Sequence, residues 1–207
     1  MSIQVEYIPV PLATQTSKTM HRERKRVFRD IMQWDVPIID DQYEVDQFDT
    51  KHALYFLRRD SDGKLLGSCR LLESQRSHML SDVFSHLCDV DIPVGPNVWE
   101  ITRACITPSI RTADRLLVRN QMVSAVVDYA LVNGIDTYTC VCSAGWLAQV
   151  LAMGWVVEPL GLPRPIDGVL TAALKIDIDA TTPKRLRLNN IYAPTELAFA
   201  AAPALAA

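Results

Sequence analysis

The run "ADRLLVRNQMVSAVVDYALVNG" lies between two strand-like runs, "NVWEITRACI" before it and "DTYTCVCS" after it. Its apolar residues recur at helical spacing and it ends on glycine, a residue that closes helices readily in the left-handed conformation. A long helix held between strands limits the chain to folds in which helices cover a sheet. Ahead of this unit, "HALYFLRR" and "KLLGSCRLL" are strand-like runs joined by "DSDG", a turn whose glycine suits a positive φ, so they form an antiparallel hairpin.

The remaining elements follow the same pattern. "IQVEYIPV" reads as a first strand and "SKTMHRERKRVFRDIMQW" as a helix that places Arg24 and Phe28 on one face. "AGWLAQVLAMG" reads as a short helix, followed by strands near "WVVEPL" and "VLTAALKIDI". Strands around two or three helices, with hairpins at the front, give an α/β class: a three-layer α-β-α sandwich with a mixed, largely antiparallel sheet. One domain is expected over residues 1–180. The Ala/Pro-rich tail, residues 181–207, is expected to be mobile or loosely docked, being too small-sided to add much core.

At 207 residues, 49% hydrophobic and 22% charged, the chain can bury a sizeable core, and its net charge of −3 implies no nucleic-acid partner. No window reaches the roughly 20 apolar residues of a membrane span and the N-terminus has no secretory pattern, so a cytoplasmic protein without membrane partners is expected. The five cysteines form no CxxC pair and the four histidines make no zinc-ligand set. Reduced structural thiols are expected, with no metal site and no cofactor.

The stretch "WDVPIIDDQYEVDQFD", residues 34–49, sets six carboxylates beside three aromatic rings. Acids at that density repel one another unless something positive sits among them. Arg70 closes a strand that reads as buried, and an unpaired buried arginine costs several kcal/mol, so Asp46 or Asp49 is its expected partner. In "VWEITRACI", Glu100 and Arg103 are three apart; a regular strand sends them to opposite faces, and a shared site requires a bulge or a splay. Phe28, Trp34 and Phe84 lie near these charges, and rings together with acids suit a positively charged small molecule.

Arg24, Phe28 and Trp34, then "EVDQFD", Arg70 after "GSC", then "MLSDVF" and "WEITR", closely resemble the signature of the LuxI-type acyl-homoserine-lactone synthases over about residues 5–178. The resemblance implies a fold like that of the GNAT N-acyltransferases, with S-adenosylmethionine as a substrate and an acyl thioester as donor. The methionyl amine is acylated; the carboxylate then closes the lactone, expelling 5'-methylthioadenosine, and a separate LuxR-type regulator reads the product. The cation among the acids would be the substrate's sulfonium.

In that scheme Glu100 takes the amine's proton and Asp46 holds the amine, since a base must lie within hydrogen-bond reach, directly or through one water. Arg103 and Arg24 would meet the substrate carboxylate, and Phe28, Trp34 and Phe84 would cover the adenosine and sulfonium. Glu44, Asp49 and Arg70 would brace the acids. Met122, Thr139, Val141, Trp146, Leu147 and Leu151 would line the acyl slot, with Thr139 offering its hydroxyl to 3-oxo donors. Transfer would be direct, with no acylated cysteine.

The region "SIRTADRLLVRNQ" has no glycine to cradle a pyrophosphate, so Arg111, Arg115 and Arg119, with Lys184, Arg185 and Arg187, would form a basic rim for acyl carrier protein; acyl-CoA remains the other donor. The alternatives are a GNAT-type N-acyltransferase acting on another amine and a non-catalytic ligand-binding module.

Overall fold

A computed structural model describes residues 2–199. Strand β1 (Ser2–Tyr7) leads into α1 (Gln15–Lys25), which continues as a π-helical segment over Arg26–Ile31. Two short strands, β2 (Ile38–Ile39) and β3 (Tyr43–Glu44), form a ribbon, and β4 (Leu54–Arg59) with β5 (Leu65–Glu73) form the expected hairpin. Then come α2 (Met79–Asp82), β6 (Val98–Ile106), α3 (Thr112–Asn133), β7 (Thr137–Ser143) and α4 (Ala144–Ala152). The chain continues through β8 (Val156–Pro159), β9 (Arg164–Ile166), β10 (Val169–Asp177), α5 (Thr182–Leu188) and β11 (Glu196–Phe199).

Local chemistry sets the boundaries. Thr14 caps α1 by accepting the Ser17 amide on its hydroxyl, and Gly63 (φ +80°) turns the β4–β5 hairpin. Gly134 (φ +70°) closes α3 in the left-handed conformation, as the sequence requires.

The main sheet has the order β11-β1-β4-β5-β6-β7-β10-β8, with β9 also paired to β10. Among the described residues, only β1–β11 and β6–β7 of its pairs are parallel. Alternation splits the strands between two cores. Phe56, Leu71, Tyr138 and Leu174 pack with Ala125 and Val127 of α3 on one face; Tyr55, Leu57 and Leu72 pack with Met20 and Phe48 on the other. Helices thus cover both faces, giving the expected three layers with a mixed, largely antiparallel sheet.

Two irregularities in the sheet position the site. Opposite the step from Ser68 to Arg70 on β5, β6 advances from Cys105 to Thr102, one residue too many, and Arg103 takes φ +50°. This is a bulge, and it supplies the break in alternation that Glu100 and Arg103 need to share a site. The β6–β7 ladder also stops at Ile101↔Cys140, although both strands run on, so the two strands splay apart beyond that rung.

The tail requires correction. Within residues 181–199, α5 buries Leu186 completely, and β11 adds a parallel edge strand to β1, with Ser2 opposite Glu196. This segment completes the sheet and core of the same body. Residues 200–207 of the expected tail lie outside the described residues.

Candidate active site

The acids of residues 34–49 find their counter-charges inside the protein. Arg70 Nη1 donates to Asp46 Oδ1 at 2.6 Å and to Asp49 Oδ1 at 2.7 Å. Arg24 grips Asp49 with both terminal nitrogens, at 2.7 and 2.9 Å, and bonds Glu44 through Nε. Arg103 reaches Glu44 Oε1 at 3.0 Å through Nε and Asp46 Oδ2 at 2.7 Å through Nη2. Tyr55 OH donates to Asp49 and Arg70 Nε to Thr102 Oγ1.

Three guanidinium groups therefore face three carboxylates in a nearly dry lattice, which is what burial of such charges demands. Burial alone would raise the Asp49 carboxyl; Arg24 and Arg70 outweigh it and hold the group far below the usual carboxylate range. Asp46 is likewise held low, with burial opposed by Arg70 and Arg103.

Glu100 sits apart from this pairing. Its two carboxylate oxygens accept the backbone amides of Met79 at 2.8 Å and Leu80 at 3.0 Å, at the start of α2. Burial pushes its pKa up to about 7, against the pull of those amides and of Arg70 and Arg103. A carboxyl poised there can exchange a proton at neutral pH.

The aromatic wall depends on the π-helical segment. Its wider turn ends with the Trp34 amide bonded to Phe28 O at 2.8 Å, and the two rings stack at 5.3 Å with an interplanar angle of 11°. The Arg103 guanidinium lies 5.6 Å from the Phe28 ring centroid, over its face.

These groups open onto one cavity of about 720 Å3. Phe28, Trp34, Asp46, Phe84, Glu100 and Arg103 line it, and it extends through the β6–β7 splay to Met122, Val141 and Trp146. Arg119 also lines it, and bonds Asn120 Oδ1 and Gln149 Oε1.

Several expected positions fall elsewhere. Arg24 is 1% exposed and committed to Glu44 and Asp49, so it braces the lattice and is not placed to meet a substrate carboxylate. Leu151 is 48% exposed, because the inward face of α4 is set by Trp146 and Val150 at i, i+4 spacing; Leu147 packs against the core beside them. Neither leucine lines the cavity, and neither does Thr139, which is fully buried opposite Glu100 in the β6–β7 ladder with its hydroxyl unpartnered.

Arg111 and Arg115 are exposed at the start of α3, Arg111 paired with Asp114. Arg185 pairs with Asp179, and Arg187 stacks on Tyr192 at 4.0 Å. The cation among the acids is thus first of all the protein's own arginines.

Sequence reasoning missed Met79. Its amide holds Glu100, its sulfur lies 3.5 Å from Arg70 Nη2 and 3.4 Å from Arg103 Nη1, and it lines the cavity. Nothing in local pattern marks a backbone amide as a carboxylate's partner.

Comparison with known proteins fits this geometry. The family model for autoinducer synthases matches residues 11–186. The chain belongs to the autoinducer synthase family. An acyl-homoserine-lactone synthase of Rhizobium etli is 34% identical over 173 residues, 82% of this chain and 81% of its own length. An isovaleryl-homoserine lactone synthase of Bradyrhizobium diazoefficiens is 30% identical over 162 residues, 78% of this chain and 72% of its own.

Among solved structures, a CoA-dependent acyl-homoserine lactone synthase with SAM and isopentyl-CoA superposes at TM-score 0.84 with 26% identity, covering 98% of this chain and 94% of that one. An N-acetyltransferase-like protein of Lactobacillus plantarum, 13% identical at TM-score 0.57, shares the fold alone, over 86% of this chain and 100% of its own. The family, the acyltransferase class of activity and the GNAT-like α/β fold expected from the resemblance are borne out. Among the described residues, no group of three or more His, Cys, Asp or Glu could hold a metal ion, and no helix is long and apolar enough to cross a membrane.

Proposed function

We propose that this chain makes N-acyl-L-homoserine lactones from S-adenosylmethionine and an acyl thioester. The observation that carries this reading is the single cavity that joins an aromatic and acidic cup, with Glu100 poised near neutrality, to an apolar arm reached through the splayed strands. The relatives' names and the neighbour holding SAM and isopentyl-CoA support the same chemistry.

Glu100 accepts a proton from the methionyl ammonium while Asp46 holds that nitrogen. The freed amine attacks the thioester carbonyl and the thiolate leaves. The substrate carboxylate then attacks its own γ-carbon, the carbon–sulfonium bond breaks, and methylthioadenosine departs. Arg103 is the guanidinium available to that carboxylate: its Nη1 donates to the soft sulfur of Met79, a weak acceptor, so it can turn to a ligand while its other nitrogens keep Glu44 and Asp46. Phe28, Trp34 and Phe84 face the adenosine and the sulfonium.

Arg119, in the cavity wall and bonded to neutral amides, together with exposed Arg111 and Arg115, suits the phosphate of a pantetheine donor, on acyl carrier protein or on CoA. Both substrates belong to the cytoplasm, which is where we place the enzyme, with its product read by a separate regulator.

Expression in a bacterium that makes no such lactones, with mass spectrometry of the medium, tests the function and names the acyl chain. Release of methylthioadenosine by the purified protein separates it from an N-acyltransferase of other amines. Folded protein that releases none with any of a panel of carrier-protein and CoA thioesters overturns the proposal.

A further inference from the structure

The arm beyond the splay has a direction. Ser143, Cys142 and Trp146 line it where β6 and β7 part; Ile176 and Trp155 line it at the other end. Cys142 is the register partner of Ala172, four rungs from Ile176, so these two points of the wall stand about 13 Å apart along the sheet. Trp155 immediately precedes Val156, which pairs with Asp177 at the foot of β10.

Trp155 is a fixed part of the wall at that end. It is 8% exposed, and its indole Nε1 donates to Val150 O at 2.8 Å, which ties the ring to the end of α4. Met122 and Met153, which line the same cavity, are unbranched and can change rotamer to suit a chain. A hydrogen-bonded indole in a packed core cannot swing aside at comparable cost.

Resting on the activity proposed above, we infer that Trp155 is the floor of the acyl arm and sets the longest chain the enzyme accepts, while the methionines set tolerance to shape. The donors favoured are then acyl groups that stop at the indole. The sequence placed this residue only in a strand-like run, away from every candidate for the slot.

The test is a panel of straight-chain acyl thioesters of increasing length on one carrier, assayed by lactone formation with wild type, Trp155→Leu, Trp155→Phe and, as a surface control, Leu151→Ala. Trp155→Leu is expected to raise kcat/KM roughly tenfold or more for chains longer than the wild-type optimum, with the KM for S-adenosylmethionine unchanged. Trp155→Phe, the milder change should the leucine variant not fold, is expected to shift the profile in the same direction by less, and Leu151→Ala not at all.

A folded Trp155 variant that makes lactone with the wild-type length profile overturns the assignment of the floor and leaves the proposed function standing. A wild type that forms no lactone with any donor overturns both.

Discussion

Glu100 is under two opposed demands. Buried and raised to a pKa of about 7 in the free protein, it is a competent base only once ionised, so kcat/KM should climb about tenfold per pH unit below 7 and then level off. Glu100→Gln should lose roughly 10²–10⁴ of kcat together with that rising limb. A variant that keeps the wild-type profile would assign the limb to another group. The same burial makes the ionised form costly to the fold. A carboxyl raised above its ordinary 4.5 contributes stability fully below that value, and the contribution is lost as pH rises through about 7. Between pH 4.5 and 8, wild type should therefore lose roughly 3 kcal/mol relative to Glu100→Gln, measured as the difference between their denaturation free energies at each pH. A constant difference across that range would mean that Glu100 titrates as it does in the unfolded chain.

At the scale of elements, the arginine lattice works as a clasp. Asp49 alone joins Arg24 of α1, Tyr55 of β4 and Arg70 of β5, while Glu44 and Asp46 carry the link on to Arg103 in the bulge of β6. Replacing Asp49 with Asn leaves two buried guanidinium groups short of a counter-charge, and should cost roughly 3–5 kcal/mol at pH 7, read from denaturant midpoints. The pH sense is opposite to that of Glu100. A depressed carboxyl contributes stability above its ordinary 3.8 that is lost as pH falls toward the folded value, so the acid limb of wild type should be shallower in Asp49→Asn. An equal limb in both proteins would remove Asp49 as its source. Part of this clasp was legible in the sequence: Arg70 in a buried-looking strand demanded an acid, and the demand named Asp46 and Asp49. The depth of Arg24 was not, because helical spacing gives a face but not what covers it. The hairpin and α3 declared themselves through turn chemistry and period. The bulge could only be posed as a condition, since no local signal forces φ +50° on an arginine. β11 escaped notice because a short run within an Ala/Pro-rich tail becomes a strand only by pairing with β1, nearly the whole chain away.

The whole molecule places both halves of the reaction in one space. A cavity that crosses from the cup to the arm where the sheet splays can hold amine and thioester together, and reactants so held need no covalent carrier. Four thiols line that cavity, however, and each is a conceivable nucleophile. Burial keeps those of Cys69 and Cys105 above the ordinary range; a hydrogen bond with Cys142, and then burial, does the same for Cys140. That hydrogen bond lowers Cys142, the half-buried thiol beyond the last β6–β7 rung and the strongest rival to direct transfer. Direct transfer predicts intersecting initial-rate lines when both substrates are varied, no protein-bound acyl group by intact mass after incubation with donor alone, and a Cys142→Ala enzyme that retains most of its turnover. Parallel lines with an acylated Cys142, abolished by the alanine variant, would move the chemistry onto the thiol and leave Glu100 to activate the amine in a second half-reaction.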